Sequence, residues 1–318
     1  MTHATVERRL KAVTKRFDEF NNTLPEPLLT LAGDLEKTLA HGNRHIVDCY
    51  GAKEAYPLLR LPLWLEDRYV TDGVLSGREG YGASAAYASL MGYLYIRIQD
   101  NVLDEPEQFD SAYLLLGNEY VREFFQTYHR LFEHGSRFWE YMRAYWLSTT
   151  NNTLWERTVC GGKFRQFEGG DLARIGGKLD GVKVSMAAVC ILAGREDDIG
   201  RFGPVADNLN IASQLHNDAV SFIKDIKHDY FTCLIASTVG NGEGAEGRDV
   251  LWQASIKALT GSHLEDWLGS AAEYNDKALG LIGPGELPGL DEYVAAKNAH
   301  LSGLRKEITE IKRELLSL

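Results

Sequence analysis

Apolar side chains recur three and four residues apart along most of this chain, with polar side chains between them. One such stripe lies between residues 10 and 20, and a longer one consists of Leu301, Leu304, Ile308, Ile311, Leu315 and Leu318. This spacing places apolar residues on one face of a helix. The C-terminal stripe fits either a core-facing helix or a seam between two copies of the chain. No alternating β-strand pattern is evident, so an all-α fold is predicted.

The helical pattern is interrupted by short segments rich in Gly, Pro, Ser, Thr or Asn. These predicted breaks are Ser76–Ser84, Ser148–Thr153, Gly240–Arg248 and Gly280–Gly289. None is long enough to link independently folded domains, and the chain has no internal repeat. We therefore predict a single all-α domain over residues 1–318.

Composition and charge limit the classes of function. The chain has 318 residues, 44% of them hydrophobic, and a formal net charge of −11 without any block of Lys or Arg. Nucleic acid is therefore not expected as a partner, because binding a phosphate backbone requires a basic face. The four cysteines are scattered, which argues against a zinc site or a disulfide framework and is typical of a cytoplasmic protein. The longest apolar stretch, Val184–Gly194, is shorter than the about 20 residues of a transmembrane helix.

Two clusters of side chains with oxygen atoms lie on helices that are otherwise apolar. The first cluster is Asp100 and Asp104, and the second is Asn217, Ser221 and Asp225. Residues four apart share a helix face, so each cluster forms one stripe. Carboxylate, amide and hydroxyl oxygens are suitable ligands for Mg2+. The alternatives are an ordinary helix end for the first cluster and a polar patch packed against a loop for the second.

The order and spacing of several motifs resemble the class I isoprenoid synthases, which comprise trans-prenyltransferases and terpene synthases. The first cluster, Asp100-Asn101-x-x-Asp104, resembles their DDxxD motif with Asn in place of the second Asp. Asn217–Asp225 resembles the terpene-synthase motif (N/D)D-x-x-(S/T)-x-x-x-E, with Asp in place of Glu.

Three further segments resemble the prenyltransferase branch of this family. Gln214–Asp218 is similar to the start of the Q-x-x-DDxxD element, and Gly51–Leu59 aligns without gaps on GGKRxRPxL. Lys178 and the apolar run after it resemble the lysine and helices that lead into the second motif. The resemblance covers about residues 45 to 240.

The resemblance implies a helical bundle around a central active-site cavity, a homodimer, and an allylic prenyl diphosphate as substrate. About three Mg2+ ions would neutralise the charge that builds on the departing diphosphate. The implied catalytic residues, which are also the metal ligands, are Asp100, Asp104, Asn217, Ser221 and Asp225.

The implied substrate-binding residues are of two kinds, cations for the diphosphate and aromatic side chains for the prenyl chain and its carbocation. Alternatively, the cations are surface charge and the aromatic residues are ordinary core. The candidates are Lys178, Arg174, Lys224, Lys53, Tyr95, Phe222 and Phe167, together with Gln214 of the second motif. Trp64 is a further candidate for the wall of the cavity, and Asp171 for the family's G-Q-x-x-D element.

The sequence departs from the family where prenyltransferases bind isopentenyl diphosphate. Glu54 and Tyr56 occupy the positions of two arginines, and residues 105–110 contain no arginine. Such a site would repel a second diphosphate. The main prediction is therefore a terpene synthase that ionises a linear allylic prenyl diphosphate, cyclises or rearranges it, and releases diphosphate. One alternative is a trans-prenyltransferase that uses isopentenyl diphosphate or another acceptor, and another is a non-catalytic subunit of a heteromeric prenyltransferase.

Overall fold

The computed structural model describes residues 3–40, 44–75, 80–104, 109–161, 164–240 and 248–317. Within these ranges the chain forms helices and no strand, and 79% of the described residues are helical. An isolated β-bridge joins Gly161 and Tyr230. The predicted all-α fold class is confirmed. The helices are α1 His3–Asn21, α2 Glu26–Leu39, α3 Ile46–Tyr50, α4 Arg60–Thr71, α5 Tyr81–Asp104, α6 Ala112–Leu131, α7 Phe138–Cys160, α8 Asp171–Gly177, α9 Val182–Leu192, α10 Asp198–Lys227, α11 Cys233–Val239, α12 Arg248–Thr260, α13 His263–Gly280 and α14 Pro288–Ser317.

The chain divides into two compact units, each assembled from three segments. Unit 1 contains Met1–Tyr145, Gly181–Phe202 and Pro284–Asp291, and unit 2 contains Trp146–Asp180, Gly203–Gly283 and Glu292–Leu318. The single domain over residues 1–318 stays a prediction, as do the homodimer and the cytoplasmic location. None of the helices in the described ranges is long and apolar enough to cross a membrane.

In unit 1, α5 is the central helix and packs against α1, α4, α6 and α9. Its small and apolar side chains are almost completely removed from solvent, including those of Ala85, Met91 and Leu94. A helix that is apolar on all sides requires neighbours on all sides, so its sequence accounts for this central position. The first cluster lies at the C-terminal end of this helix.

In unit 2, side chains from α10 to α14 enclose an apolar core that includes Leu215, Phe222 and Phe231. The C-terminal stripe divides along α14. Its first part enters this core, with Leu301 buried, whereas Ile311 and Leu315 are 49% and 54% exposed. The core-facing interpretation therefore holds only for the first half of the stripe.

Three of the predicted breaks separate consecutive helices, although parts of Ser76–Ser84 and Gly240–Arg248 lie outside the described residues. The remaining predicted break is wrong, because Ser148–Thr153 lies inside α7. Its polar side chains find partners without ending the helix. Thr150 Oγ1 donates to the backbone oxygen of Trp146 at 3.0 Å, and Ser148 Oγ donates to Asp180 Oδ2 at 2.6 Å.

Candidate functional site

The first cluster occupies the last turn of α5. Asp100 is partly exposed, and its Oδ2 lies 3.8 Å from Arg97 Nη1. Asp104 is the final residue of the helix, and its side chain lies outside the described part of the chain. Arg97 was not among the predicted site residues, although it is the first charged residue of this long apolar helix. The structure therefore adds a guanidinium beside the first cluster.

The other candidates of unit 1 lie near the first cluster in sequence, in the segment before α4, or in α4 itself. The Tyr95 hydroxyl accepts a hydrogen bond from Gln99 Nε2 at 2.9 Å. Lys53 and Glu54 are exposed, whereas Trp64 is buried. Arg60 directly follows the GGKRxRPxL-like segment, but its Nε donates to the Gly51 backbone oxygen at 2.6 Å and its Nη2 pairs with Glu7 at 2.9 Å. Arg60 therefore stabilises the backbone of this segment and pairs with a carboxylate of α1.

The second cluster forms a stripe on α10, as its spacing predicts. Asn217 is exposed, and Ser221 Oγ donates to Asp225 Oδ2 at 2.5 Å. Asp218, the neighbour of Asn217, is only 5% exposed. Gln214 is also buried, one turn earlier on α10. α10 therefore presents an amide, a hydroxyl and a carboxylate on one side and buries a second carboxylate on another.

Glu156, on α7, adds a third carboxylate to this region of unit 2. Burial is the main cause that raises the pKa of Asp218 well above its usual range, and the nearby carboxylates of Glu156 and Asp225 raise it further. Burial likewise raises the pKa of Asp225, whereas Ser221 and Lys224 lower it. The sequence gives no sign of Glu156, because a single glutamate on a helix is usually solvated.

Lys178 lies at the C-terminal end of α8 and forms an ion pair with Glu156. The end of α8 approaches its neighbours closely. A Cβ atom at Gly176 would lie 2.7 Å from Ile211 Cγ1 of α10, and one at Gly177 would overlap the Asn152 amide of α7. Glycines at both positions therefore allow the end of α8, with Lys178 directly after it, to pack closely against these two helices.

Trp155 links two other predicted residues of unit 2. The Arg174 guanidinium carbon lies 4.1 Å from the centre of the Trp155 ring, and the Phe167 ring meets the same indole edge-on at 6.3 Å. Asp171 is buried and pairs with Arg165 at 3.1 Å. Trp155 was not predicted, and an isolated tryptophan carries no distinctive pattern.

The structure does not gather all the candidates of each unit. Phe222 contributes to the apolar core of unit 2, and Lys224 is exposed on α10 beside Asp225 in sequence. In unit 1, Lys183 is a buried cation that was not predicted; it is 7% exposed, with its ammonium 5.6 Å from the centre of the Tyr145 ring. A lysine within the apolar run of α9 is the sequence feature that could have indicated this buried cation.

The second cluster fits Mg2+ by its donor chemistry. Among the described residues no group of three or more His, Cys, Asp or Glu side chains is arranged to hold a metal ion. However, Mg2+ retains several waters and needs few protein ligands, and Asn217, Ser221 and Asp225 supply hard oxygen donors. Burial raises the pKa of Asp218 and of Asp225, so added positive charge nearby would stabilise their ionised forms.

No family model matches the sequence, and a search of curated proteins finds no match. Solved structures are similar over nearly the whole chain. Heptaprenyl diphosphate synthase from Staphylococcus aureus has a TM-score of 0.67 at 12% identity, covering 95% of this chain and 98% of that one. Polyprenyl synthase from Caulobacter crescentus CB15, complexed with calcium and isoprenyl diphosphate, has a TM-score of 0.65 at 13% identity, covering 92% and 97%.

Octaprenyl pyrophosphate synthase from Helicobacter pylori has a TM-score of 0.63 at 14% identity, covering 92% of this chain and 99% of that one. At identities this low, the structural similarity establishes the fold alone, and the chemistry must be argued from the residues of the site. The chain has the all-α fold of the trans-prenyltransferases, which is that of the class I isoprenoid synthases.

Proposed function

We propose that this protein is a Mg2+-dependent trans-prenyltransferase, which ionises an allylic prenyl diphosphate and transfers the prenyl group to an acceptor. The observation that carries the proposal is the oxygen stripe of Asn217, Ser221 and Asp225 in the same unit as Lys178, within a fold shared with polyprenyl diphosphate synthases. The complex of the Caulobacter crescentus protein with calcium and isoprenyl diphosphate supports a divalent cation and a prenyl diphosphate as ligands.

The residues divide the chemistry between them. When bound, Mg2+ would supply positive charge that favours departure of the diphosphate from the allylic carbon. In unit 2, Asn217, Ser221 and Asp225 would hold the metal, and the Lys178 ammonium would bind diphosphate oxygens. In unit 1, Asp100 and Asp104 stay metal ligands predicted from the sequence. In unit 2, Phe167 would offer an aromatic face to the allylic cation. Tyr95, in unit 1, stays a substrate-binding residue predicted from the sequence.

The segment before α4 favours an acceptor without a diphosphate group. Lys53 and Glu54 are both exposed there, so the charge of one offsets that of the other. Arg60 is engaged by Gly51 and Glu7 and therefore does not replace the arginines that the family uses. A second diphosphate would meet little net positive charge in this segment.

A terpene synthase is the second candidate function, and the similarity of Asn217–Asp225 to the terpene-synthase motif favours it. It requires the same ionisation but no acceptor. A non-catalytic subunit is the third, but it leaves the retained oxygen donors of the second cluster without a role.

The test is turnover by the purified full chain with C10, C15 and C20 allylic diphosphates and Mg2+, analysed by mass spectrometry. Each substrate is supplied without an acceptor, with isopentenyl diphosphate, and with a panel of acceptors that carry no diphosphate group. A prenyl product that requires an added acceptor supports the transferase. A hydrocarbon or alcohol from one substrate alone, abolished by EDTA, identifies a terpene synthase instead. No turnover and no Mg2+-dependent binding of any allylic diphosphate would indicate the non-catalytic subunit.

Replacing residues of the two clusters tests their roles. We expect Asn217→Ala and Asp104→Ala each to lower kcat by about 100-fold, because each removes an oxygen that acts on the charge of the leaving group. Asn208→Ala is the matched control, since Asn208 also lies on α10 but donates to the Pro204 backbone oxygen. Full turnover in both cluster variants would reject the proposal.

A further inference from the structure

Glu156 is a buried carboxylate with a specific partner. Its residue is 8% exposed, and its side chain forms an ion pair with Lys178 Nζ, whose own side chain is 22% exposed. Burying a carboxylate costs free energy unless the charge is compensated. Glu156 therefore has a reason to retain the ammonium, and the ammonium is held away from bulk water.

The charges around this ion pair connect it to the second cluster. Glu156 raises the pKa of Asp218 and of Asp225, whereas Lys178 lowers both. Lys224 also acts on Asp225. The Lys178 ammonium therefore interacts electrostatically with Asp225 of the second cluster, and its ion pair with Glu156 of α7 restrains it there.

The backbone on both sides of the pair is constrained. The end of α8 packs against Asn152, one turn before Glu156 on α7. Two residues after Lys178, Asp180 accepts hydrogen bonds from Ser148 of α7 at 2.6 Å and from Asn210 of α10 at 3.2 Å. The backbone at Lys178 is therefore fixed, and the freedom that remains is rotation of the lysine side chain. The ion pair with Glu156 restricts that rotation.

We propose that Glu156 is a positioning residue, which holds the Lys178 ammonium beside the second cluster, ready for the oxygens of a diphosphate that arrives with Mg2+. This inference rests on the proposed function. It assigns no contact between Glu156 and the substrate, so Glu156 acts through Lys178.

Positioning and simple charge repulsion predict opposite effects of neutralising Glu156. A carboxylate that merely adds negative charge weakens anion binding, so its removal would tighten the binding of diphosphate. A positioning carboxylate restricts the lysine before binding. Its removal should weaken binding by about tenfold, because the freed lysine side chain must then be ordered by the ligand.

The experiment is calorimetric titration of the full chain with inorganic pyrophosphate in the presence of Mg2+. Wild type is compared with Glu156→Gln, Lys178→Met, the double variant and the exposed control Glu310→Gln. We expect about tenfold weaker binding for Glu156→Gln. We also expect the double variant to bind no more weakly than Lys178→Met, and the control to bind like wild type. Glu156→Asp, which keeps the charge but withdraws it by one methylene, should also bind more weakly.

The outcomes separate this inference from the proposed function. Unchanged or tighter binding by Glu156→Gln, or additive losses in the double variant, would overturn the positioning role while wild-type binding upholds the function. Absence of Mg2+-dependent pyrophosphate binding in wild type would overturn both. Melting curves without ligand verify that the variants fold, and if Glu156→Gln does not fold, Glu156→Asp decides: wild-type affinity would then reject positioning.

Discussion

At the scale of single residues, neighbours on α10 experience very different surroundings. Asn217 is exposed and available to a ligand, whereas Asp218 is buried with a raised pKa. Successive residues of a helix point about 100° apart, so a helix at a surface places one side chain outward and the next inward. The motif resemblance contains both residues, but their separate roles follow from the way α10 packs in unit 2.

His216 should make the protein sensitive to acid. Burial is the main cause that lowers its pKa to about 3, and the nearby Lys297 and His300 contribute to the same shift. Its Nδ1 lies 3.4 Å from Lys297 Nζ, and its Nε2 is buried without a hydrogen-bond partner. The folded state therefore keeps the neutral ring, while an unfolded histidine gains a proton near pH 6.5. This contribution to stability is complete above about pH 6.5 and is lost as the pH falls towards about 3.

We expect the Tm of wild type to fall more between pH 7.5 and pH 5 than the Tm of His216→Gln, which cannot be protonated. The exposed His228→Gln is the control and should fall like wild type. Differential scanning calorimetry without metal measures this directly. Equal falls for wild type and His216→Gln would contradict the prediction.

At the scale of helices, close approaches depend on residues that lack a side chain. Gly289, in the first turn of α14, lies against Trp64 of α4 within unit 1, and a Cβ at this position would overlap the indole ring. Trp64 is only 4% exposed, so the ring has little room to move. The beginning of α14 can therefore occupy its position only with glycine at residue 289.

Gly289→Ala should lower the free energy of unfolding by about 1 to 3 kcal/mol, because it forces an overpacked contact. Gly303→Ala is a matched control on the same helix, since no atom lies within 4 Å of its added Cβ. Alanine at position 303 should instead stabilise the protein by about 0.5 to 1 kcal/mol through its higher helix propensity. Urea denaturation measures both changes, and shifts of the same sign would refute this account.

At the scale of the whole molecule, both units are discontinuous in sequence. The chain passes from one to the other five times, and α7, α10 and α14 each contribute residues to both. A helix is cooperative along its length, so unfolding of one unit would fray helices of the other. This supports the prediction that residues 1–318 behave as a single domain.

Thermal unfolding should therefore show one transition, with calorimetric and van't Hoff enthalpies that agree. Circular dichroism and tryptophan fluorescence should give the same midpoint, since a two-state transition is independent of the probe. Two resolved transitions, or midpoints that differ between probes, would mean that the units unfold separately and that the single-domain prediction is wrong.

Helical periodicity is a local property of the chain, so the sequence was sufficient to predict most helices, the all-α class and the spacing of both clusters. It also supported the fold family, whose motifs recur in order along α5, α8, α9 and α10. It failed at Ser148–Thr153, since whether a polar run ends a helix depends on the partners its side chains find. Those partners include Asp180, which is distant in sequence.

Which side chains are buried and which charges lie close together depends on how the helices pack. Glu156 and Arg97 resemble ordinary helix-surface residues in sequence, yet one lies buried against Lys178 and the other lies beside Asp100. Phe222, expected in the substrate cavity, lies in the core of unit 2. Burial and electrostatic interactions arise between segments far apart in the chain, so no local pattern encodes them, and they exist only once the helices have packed.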